Sequence, residues 1–501
     1  MSQDPSSLTA TLRVALQHHA LAGRVAFLEG DASIDYAHFA QRVDRYAAGF
    51  ANTGLPQGAF VGIASPKTLD CVAALFGAMV AGLCPTIMEA RISPSELASR
   101  MSAVGMTLLA CADGEWSQAI EDALALVGAS TVALTSLDST QAVTLPALQA
   151  TDRALLLYTS GSTGRPKGVV LSHGNLLANA QGVLAHTGVT EADRLLHIMP
   201  LHHTNGINNQ LIVPLLAGAQ VALVERFRAD DIVDCLRRYR PTYVTGVPTM
   251  YSRMLPKLEA GERFESLRFL RCGSAPITPA LHEAIEAAFG VPLVVSYGLS
   301  EATCTTTMNP PHARKVGSIG TVLEGQELAL FQPGGDERVA AGQDGEIRIR
   351  GPALMQGYVG ADVESPIVDG WLRTGDLGRF DAEGYVTITG RIKDVIIRGG
   401  ENLSPGLIEN QLAKHPSVKE CCVVGVADAD LGEVPVAFVV PRSGEELHIE
   451  ALREHVLTGL SRVYVPARIV VVASLPTSHV GKVDRKVLRR MAGEPSTEAA
   501  A

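Results

Sequence analysis

The stretch Tyr158–Ser172, YTSGSTGRPKGVVLS, gathers glycine, serine and threonine and closes them with one lysine, Lys167. Small residues let backbone N–H groups come close to an anion, and a lysine adds a mobile positive charge, so phosphate is the guest this composition suits. A Walker A loop carries Gly immediately before its Lys. Here Pro166 stands in that place, after Gly161, Gly164 and Arg165, so the loop is of another kind. The apolar ALLLY before it reads as a buried strand and LSHGNLLANAQGVLAHTG after it as a helix, a strand-loop-helix setting. An ordinary surface turn shares the composition. In residues 294–306, VVSYGLSEATCTT, an apolar strand ends in a polar turn. Tyr297 offers a face on which a purine stacks, and Glu301 a hard oxygen for a divalent cation beside phosphates, although a lone Glu also suits a solvated turn. In WLRTGDLGRF, Asp376 sits between glycines, where a carboxylate can accept hydrogen bonds from two vicinal ribose hydroxyls or simply end a turn.

The chain that must position these groups has 501 residues, too many for one small core, so two or more domains are the prior. With 47% hydrophobic and 19% charged residues it is a globular chain with material for a large core. A net charge of -10 argues against a nucleic-acid partner, since the only concentrated basic segment is the short VDRKVLRR near the C-terminus. Eight cysteines form no C-x-x-C pair, and the adjacent Cys421 and Cys422 are badly placed to share a zinc ion. Free thiols in a reducing cytoplasm are the reading they support. The N-terminus lacks the apolar segment of a signal peptide. The apolar run 71–88 is interrupted by Gly77, Gly82 and Pro85, which makes it a buried helix, a turn and a strand, with no membrane span expected.

Strand-like runs alternate with amphipathic stretches: FVGIAS with TLDCVAALFGAMVAG, MTLLACA with SQAIEDALALVG, PTYVTGV with PTMYSRMLPKLEA. That alternation predicts α/β units with mainly parallel sheets. After about Gly320 short strands separated by Gly and Asp turns predict a barrel or hairpin-rich section. From Arg391 a third texture begins, with IENQLAKHPSVKE as a helix and CCVVGVAD and PVAFVVP as strands. No internal repeat is present, and the tail GEPSTEAAA has the composition of a disordered end.

Together with GRIKDVIIRGGENLSP (390–405) and LPTSHVGKVDRK (475–486), these clusters stand in an order that resembles the adenylate-forming superfamily of acyl-CoA synthetases, nonribosomal adenylation domains and beetle luciferases. The likeness runs from about residue 10 to Arg490 and is strongest to stand-alone acyl-CoA synthetases. It implies a large N-terminal domain (1–390) of stacked α/β subdomains plus a small β-barrel-like one, a hinge (391–394) and a small mobile α+β C-terminal domain (395–501). It also implies an AMP-forming acid–thiol ligase using ATP, Mg²⁺ and CoA, which makes acyl-AMP and pyrophosphate and then a thioester. The alternative acceptor is an acyl carrier protein in trans, and a homodimer is a candidate assembly.

By the same resemblance Thr159, Ser160, Gly161, Ser162, Thr163, Gly164 and Lys167 cradle the β and γ phosphates, with Thr159 and Glu301 at the metal. Gly273, Ser274, Ala275, Pro276, Tyr297, Gly298 and Ser300 line the adenine and its surroundings, and Asp376 and Arg391 hold the ribose. Lys482 is the catalytic lysine brought from the C-terminal domain, Lys393 the hinge residue, and Gly399 and Gly400 border the pantetheine channel. His203 is implied near the reacting carboxylate, in a segment whose Thr204, Asn205 and Asn208 make the acyl wall polar. Arg253, in a stretch similar to malonyl-CoA synthetases, is a candidate partner for a second carboxylate, with a surface arginine as the other reading. The chain departs from the family pattern at His202, where an aromatic is usual, at Leu407, where an acid is usual, and at Thr477, where a base is usual. Leu407 follows the channel loop, which leaves the CoA half-reaction less supported by sequence than adenylation.

Overall fold

The computed structural model describes residues 7–89, 92–112, 114–160, 166–340, 342–360, 364–399, 401–477 and 483–493. A nine-stranded sheet has six parallel strands at its middle, in the spatial order Leu293–Tyr297, Phe269–Cys272, Tyr243–Gly246, Arg194–His197, Gln220–Leu223 and Val25–Glu29. The strands Tyr243–Gly246 and Phe269–Cys272 are buried along their whole length, as parallel strands covered on both faces must be. A second, four-stranded sheet (Cys84–Ile87, Phe60–Ala64, Leu108–Cys111, Ser130–Ala133) is parallel throughout. The expected alternation of strands and helices is what builds both. The run 71–88 falls in the helix Leu69–Val80 and the strand Cys84–Ile87, the helix being capped by the Thr68 hydroxyl, which accepts from the Cys71 N–H. Among the described residues no helix is long and apolar enough to cross a membrane.

The segment after Gly320 forms a five-stranded antiparallel sheet from Glu327–Phe331, Gly345–Arg350, Trp371–Phe380, Ile367–Val368 and Val386–Arg391. From residue 396 onward a separate sheet carries the helices Pro405–Leu412, Ile449–Gly459 and Arg485–Gly493, around two apolar clusters of its own, one holding Ile408, Leu452 and Val456 and the other Phe438 and Leu488. The helix expected over 408–420 begins earlier and ends sooner. Pro405 occupies its first turn, where the missing N–H costs nothing, and Val418 already starts the strand Val418–Asp428.

The expected strand-loop-helix around Lys167 is corrected. Arg153–Ser160 and Pro166–Ser172 pair antiparallel as a hairpin, and the helix His173–Thr187 starts only after the second strand, with Ser172 and Asn175 forming a capping box. The β-branched Val169 and Val170, both buried, favour a strand where the spacing of apolar residues further on suggested a helix. Lys167 therefore stands on a strand, and the helix begins only at His173.

One buried cation ties the two parallel sheets together. Lys67, just after the strand Phe60–Ala64, donates from Nζ to His197 Nδ1 (3.2 Å) and to the carbonyls of His197 (3.3 Å) and Met199 (3.1 Å). The other ring nitrogen of His197 lies 2.8 Å from the Gly206 carbonyl, which fixes the tautomer with its proton on Nε2. Burial pulls Lys67 down to about 7, and burial followed by the neighbouring Lys67 charge holds His197 well below the usual histidine range. The unfolded chain keeps the lysine proton up to about pH 10.4, whereas the folded chain releases it near neutrality. Folding stability from this group is therefore level at low pH and rises between the two values. Replacing Lys67 with Met removes that rise, so wild type should gain about 2 kcal/mol on the variant between about pH 6.5 and about pH 9. Thermal melts across that window check it, and parallel curves for the two proteins would contradict it.

Candidate active site

Four adjacent parallel strands end at one edge of the nine-stranded sheet, and each delivers one of the segments singled out by sequence. Arg194–His197 leads into 198–210, Tyr243–Gly246 into 247–254, Phe269–Cys272 into 273–276, and Leu293–Tyr297 into 298–306. The carboxyl edge of a parallel sheet is where an α/β fold leaves a crevice for ligands. Cross-links join the segments: the Gly273 N–H donates to the Gly246 carbonyl (3.2 Å), and Gln210 Nε2 to the Thr245 carbonyl (3.2 Å).

On one side of this edge lie the groups assigned to the nucleotide. The Tyr297 hydroxyl donates to Asp376 Oδ2 (2.7 Å), and Arg391 Nε meets Asp376 Oδ1 (2.8 Å), because Asp376 and Arg391 are cross-strand partners. Asp376 is buried and Arg391 exposed, so the carboxylate is oriented from two sides while each oxygen keeps a lone pair for a further donor. Burial first, and then the Asp376 charge, holds the Tyr297 phenol well above its usual range, which keeps it a donor. Gly298 is required by space: a Cβ there would lie 1.8 Å from the Cys304 carbonyl oxygen. Ser274, in the 273–276 segment with Ala275 and Pro276, has a positive φ of 66°, a conformation that non-glycine residues seldom adopt. Ser300 opens the single turn Ser300–Ala302, which carries Glu301.

Glu301 and Lys167 meet at a residue not singled out from the sequence, Tyr358. Its strand, Gly357–Val359, pairs with residues 168–170 of the hairpin, and Thr159 stands opposite Lys167 in the same hairpin. The Tyr358 hydroxyl donates to Glu301 Oε1 (2.8 Å), while Lys167 Nζ lies 4.8 Å from the centre of its ring, a cation–π contact. The Met355 N–H donates to the Glu301 carbonyl (2.8 Å), so the same segment holds both the backbone and the side chain of Glu301. The only sequence signal was the QGY at 356–358, which reads as ordinary turn and strand composition.

Of the remaining assignments, Gly161, Ser162, Thr163, Gly164, Gly400 and Lys482 lie outside the described residues, as does the side chain of Ser160. Lys393 is exposed in the short turn Ile392–Asp394, and Asp394 beside it pairs with Arg489 Nη2 of the C-terminal helix (2.9 Å). Gly399 has a φ of 57°, and its N–H donates to the Leu431 carbonyl (2.7 Å).

On the other side of the edge, Asn205–Ile212 is a π-helix, a wide-turned element that often marks functional sites. A Cβ at Gly206 would lie 2.1 Å from the Pro200 carbonyl oxygen, so only glycine permits this tight return of the chain. All the residues of the π-helix are buried, and its asparagines form a network. Asn209 Nδ2 reaches Asn205 Oδ1 (3.1 Å), Cys304 Sγ (2.8 Å) and Thr305 Oγ1 (3.3 Å), and Asn208 Nδ2 reaches Asn179 Oδ1 (2.9 Å). The polar side chains of TNGINN are thus buried in a network that Cys304 and Thr305 join. His203 is half-buried with its ring 4.3 Å from that of His202. Arg253 is exposed on the helix Pro248–Met254, whose Tyr251 and Met254 turn inward, in keeping with the surface-arginine reading of this position.

A sequence model of the AMP-binding enzyme family matches residues 14–359, and one of the AMP-binding enzyme C-terminal domain matches residues 407–482. The chain is 36% identical over 455 residues to a sulfoacetate–CoA ligase of Cupriavidus necator, covering 87% of this chain and 88% of that protein. It is 34% identical over 489 residues to a feruloyl-CoA synthase of Amycolatopsis, covering 96% and 98%. Among solved structures, ATP-bound MatB from Rhodopseudomonas palustris superposes with a TM-score of 0.89 at 29% identity, covering 96% of this chain and 98% of that one. The chain belongs to the AMP-binding enzyme family, within which it is an AMP-forming acyl-CoA synthetase.

Proposed function

We propose that the carboxyl edge of the large sheet is where this synthetase performs both of its half-reactions, with the roles divided as follows. A carboxylate oxygen of the acid attacks the α-phosphorus of ATP, the bond to the β-phosphate breaks, and pyrophosphate leaves. A thiol sulfur then attacks the acyl carbon and AMP departs. Carboxylates are poor acyl donors because their leaving group would be oxide; AMP supplies a stable one. The observation that carries the nucleotide assignment is the pair of oriented carboxylates, Asp376 between Tyr297 and Arg391, and Glu301 beneath Tyr358.

In this reading Asp376 and Arg391 take the ribose hydroxyls, and Tyr297 with residues 273–276 receives the adenine. The 159–167 turn and Lys167 take the outer phosphates. Glu301 suits Mg²⁺: its Oε1 is occupied by Tyr358, its Oε2 makes no hydrogen bond with a described residue, and no group of three or more His, Cys, Asp or Glu among the described residues would cage a metal. One carboxylate plus phosphate oxygens is what a hard cation of this kind accepts, and when bound it offsets phosphate charge. His203 positions the reacting carboxylate, and Lys482 supplies a positive charge to the carboxylate and α-phosphate oxygens.

Lys482 and the thiol need the same place at different times, which supports domains at 1–390 and 395–501 turning about Lys393, with Gly399 and Gly400 bordering the pantetheine path. CoA is the acceptor; the relatives at 34–38% identity are named as CoA ligases, and none is named for a carrier protein. Their acids differ too widely to transfer by name: sulfoacetate, feruloyl, oxalate and indoleacetate. All eight cysteines are free thiols, which supports a reducing compartment, the cytoplasm.

Lys482→Ala should slow acyl-AMP formation by about 100-fold or more while thioester formation from supplied acyl-AMP stays within a few-fold. Equal losses in both half-reactions would sink the assignment. Tyr358→Phe deletes the only hydroxyl bonded to Glu301 among the described residues and leaves the ring under Lys167. It should raise the Mg²⁺ concentration for half-maximal pyrophosphate release several-fold with little change in KM for the acid. A metal titration that superposes on wild type would exclude this role for the hydroxyl.

A further inference from the structure

Arg271 is the last-but-one residue of the strand Phe269–Cys272 and is buried at 4% exposure. Its Nε donates to Ser296 Oγ (3.2 Å) and its Nη2 to Thr305 Oγ1 (2.5 Å). Both partners are neutral hydroxyls, and Nη1 makes no hydrogen bond with a described residue. The titratable groups that act on it are the thiol of Cys304 and the phenols of Tyr243 and Tyr251, each pushed up by burial, and the imidazole of His186, pushed down by burial, so none brings it a negative charge near neutral pH. Among the described residues no carboxylate pairs with it.

The contrast with the other deeply buried arginine among the described residues is direct. Arg348, 3% exposed, meets Glu346 (3.0 Å) and Asp336 (2.8 Å) and so carries its own counter-charges. A guanidinium cannot shed its proton to relieve burial as a lysine can. Taking such a charge out of water without an opposite charge is costly, and it persists where something in the working protein supplies that charge. The surroundings of Arg271 say where the opposite charge would come from. Thr305 Oγ1 also accepts from Asn209, which touches Asn205 and Cys304, so Arg271 belongs to the polar network of the proposed acyl wall. It stands two residues before Gly273, on the strand whose end enters the reaction edge.

We propose that Arg271 is the specificity-determining cation of the acyl site, and that the acid carries, beyond the carboxylate that reacts, a second anionic oxygen group, a carboxylate or a sulfonate, which Arg271 pairs with. The inference rests on the acyl-CoA synthetase reading and adds the charge of the substrate's far end. The reacting carboxylate meets the α-phosphate of ATP, and the second anion meets Arg271 beside Asn209 and Thr305. A neutral tail leaves the buried cation uncompensated, which disfavours monocarboxylates of equal length.

The test compares kcat/KM for pyrophosphate release between acids of matched length: malonate, succinate, glutarate and sulfoacetate against propionate, butyrate, valerate and the monoamide succinamate. Wild type should prefer the best dianionic acid over its neutral-tailed match by about 100-fold, the range that buried charge pairs command. Arg271→Gln removes the charge and should erase most of that preference, through loss of kcat/KM with the dianionic acids that exceeds any loss with their neutral-tailed matches. Arg271→Lys should restore part of it. Carboxylates and sulfonates in the panel separate the two anions. If neither variant folds, succinate against succinamate in wild type decides alone. Preference for neutral-tailed acids with acyl-CoA formed would overturn the inference and leave the synthetase reading intact. Loss of the preference in Arg253→Gln but not in Arg271→Gln would also overturn it. ATP left intact with every acid would overturn both.

Discussion

The parallel pairing of four neighbouring strands is the constraint on which the site depends. Because Arg194–His197, Tyr243–Gly246, Phe269–Cys272 and Leu293–Tyr297 run the same way side by side, their exits fall on one edge. Segments far apart in sequence are thereby brought within hydrogen-bonding distance, as when Asn209 meets Thr305 and Asn179 donates to the Thr305 carbonyl. The antiparallel sheet that follows adds Asp376 and Arg391 from the side, and the hairpin with its third strand adds Lys167 and Tyr358. Register does the aiming. Asp376 faces Arg391, and Thr159 faces Lys167, because the strands pair at those residues.

Electrostatics inside the chain follows one rule with informative exceptions. Arg348 is neutralised locally, Asp376 is held by a donor and a cation, and Lys67 sheds its cost by a lowered proton affinity while securing the carbonyls of His197 and Met199. Among the described residues Glu301 and Arg271 are groups of opposite sign that make no ion pair. In the proposed reading one belongs to the nucleotide and the other to the acid, so that substrates supply the charged partners.

The alternation of apolar strands and amphipathic helices was readable because buried parallel strands and covering helices have periods that survive in a single sequence. The change of texture after Gly320 and again near Arg391 marked the antiparallel sheet and the separate clusters from residue 396. The hairpin after Lys167 was not readable, since Val169 and Val170 fit a buried strand only when Gly357–Val359 lies beside them. Tyr358 was missed for the same reason: its partners, Glu301 and Lys167, lie 57 residues and far more away along the chain and meet it only through strand pairing. Arg253 stood out by motif and proved exposed, whereas Arg271, hidden in an apolar strand run, shows its interest only through the absence of a counter-charge. Residue type and order carry the chemistry of the nucleotide; burial and pairing carry that of the acid.

The most direct test of the synthetase account is the product stoichiometry from ATP, Mg²⁺, CoA and an acid panel, read by mass spectrometry and nucleotide chromatography. The account predicts AMP, pyrophosphate and one acyl-CoA in equal amounts, with acyl-AMP accumulating when CoA is withheld. ADP and phosphate as the products, or AMP formed without an accompanying thioester for any acid, would contradict it.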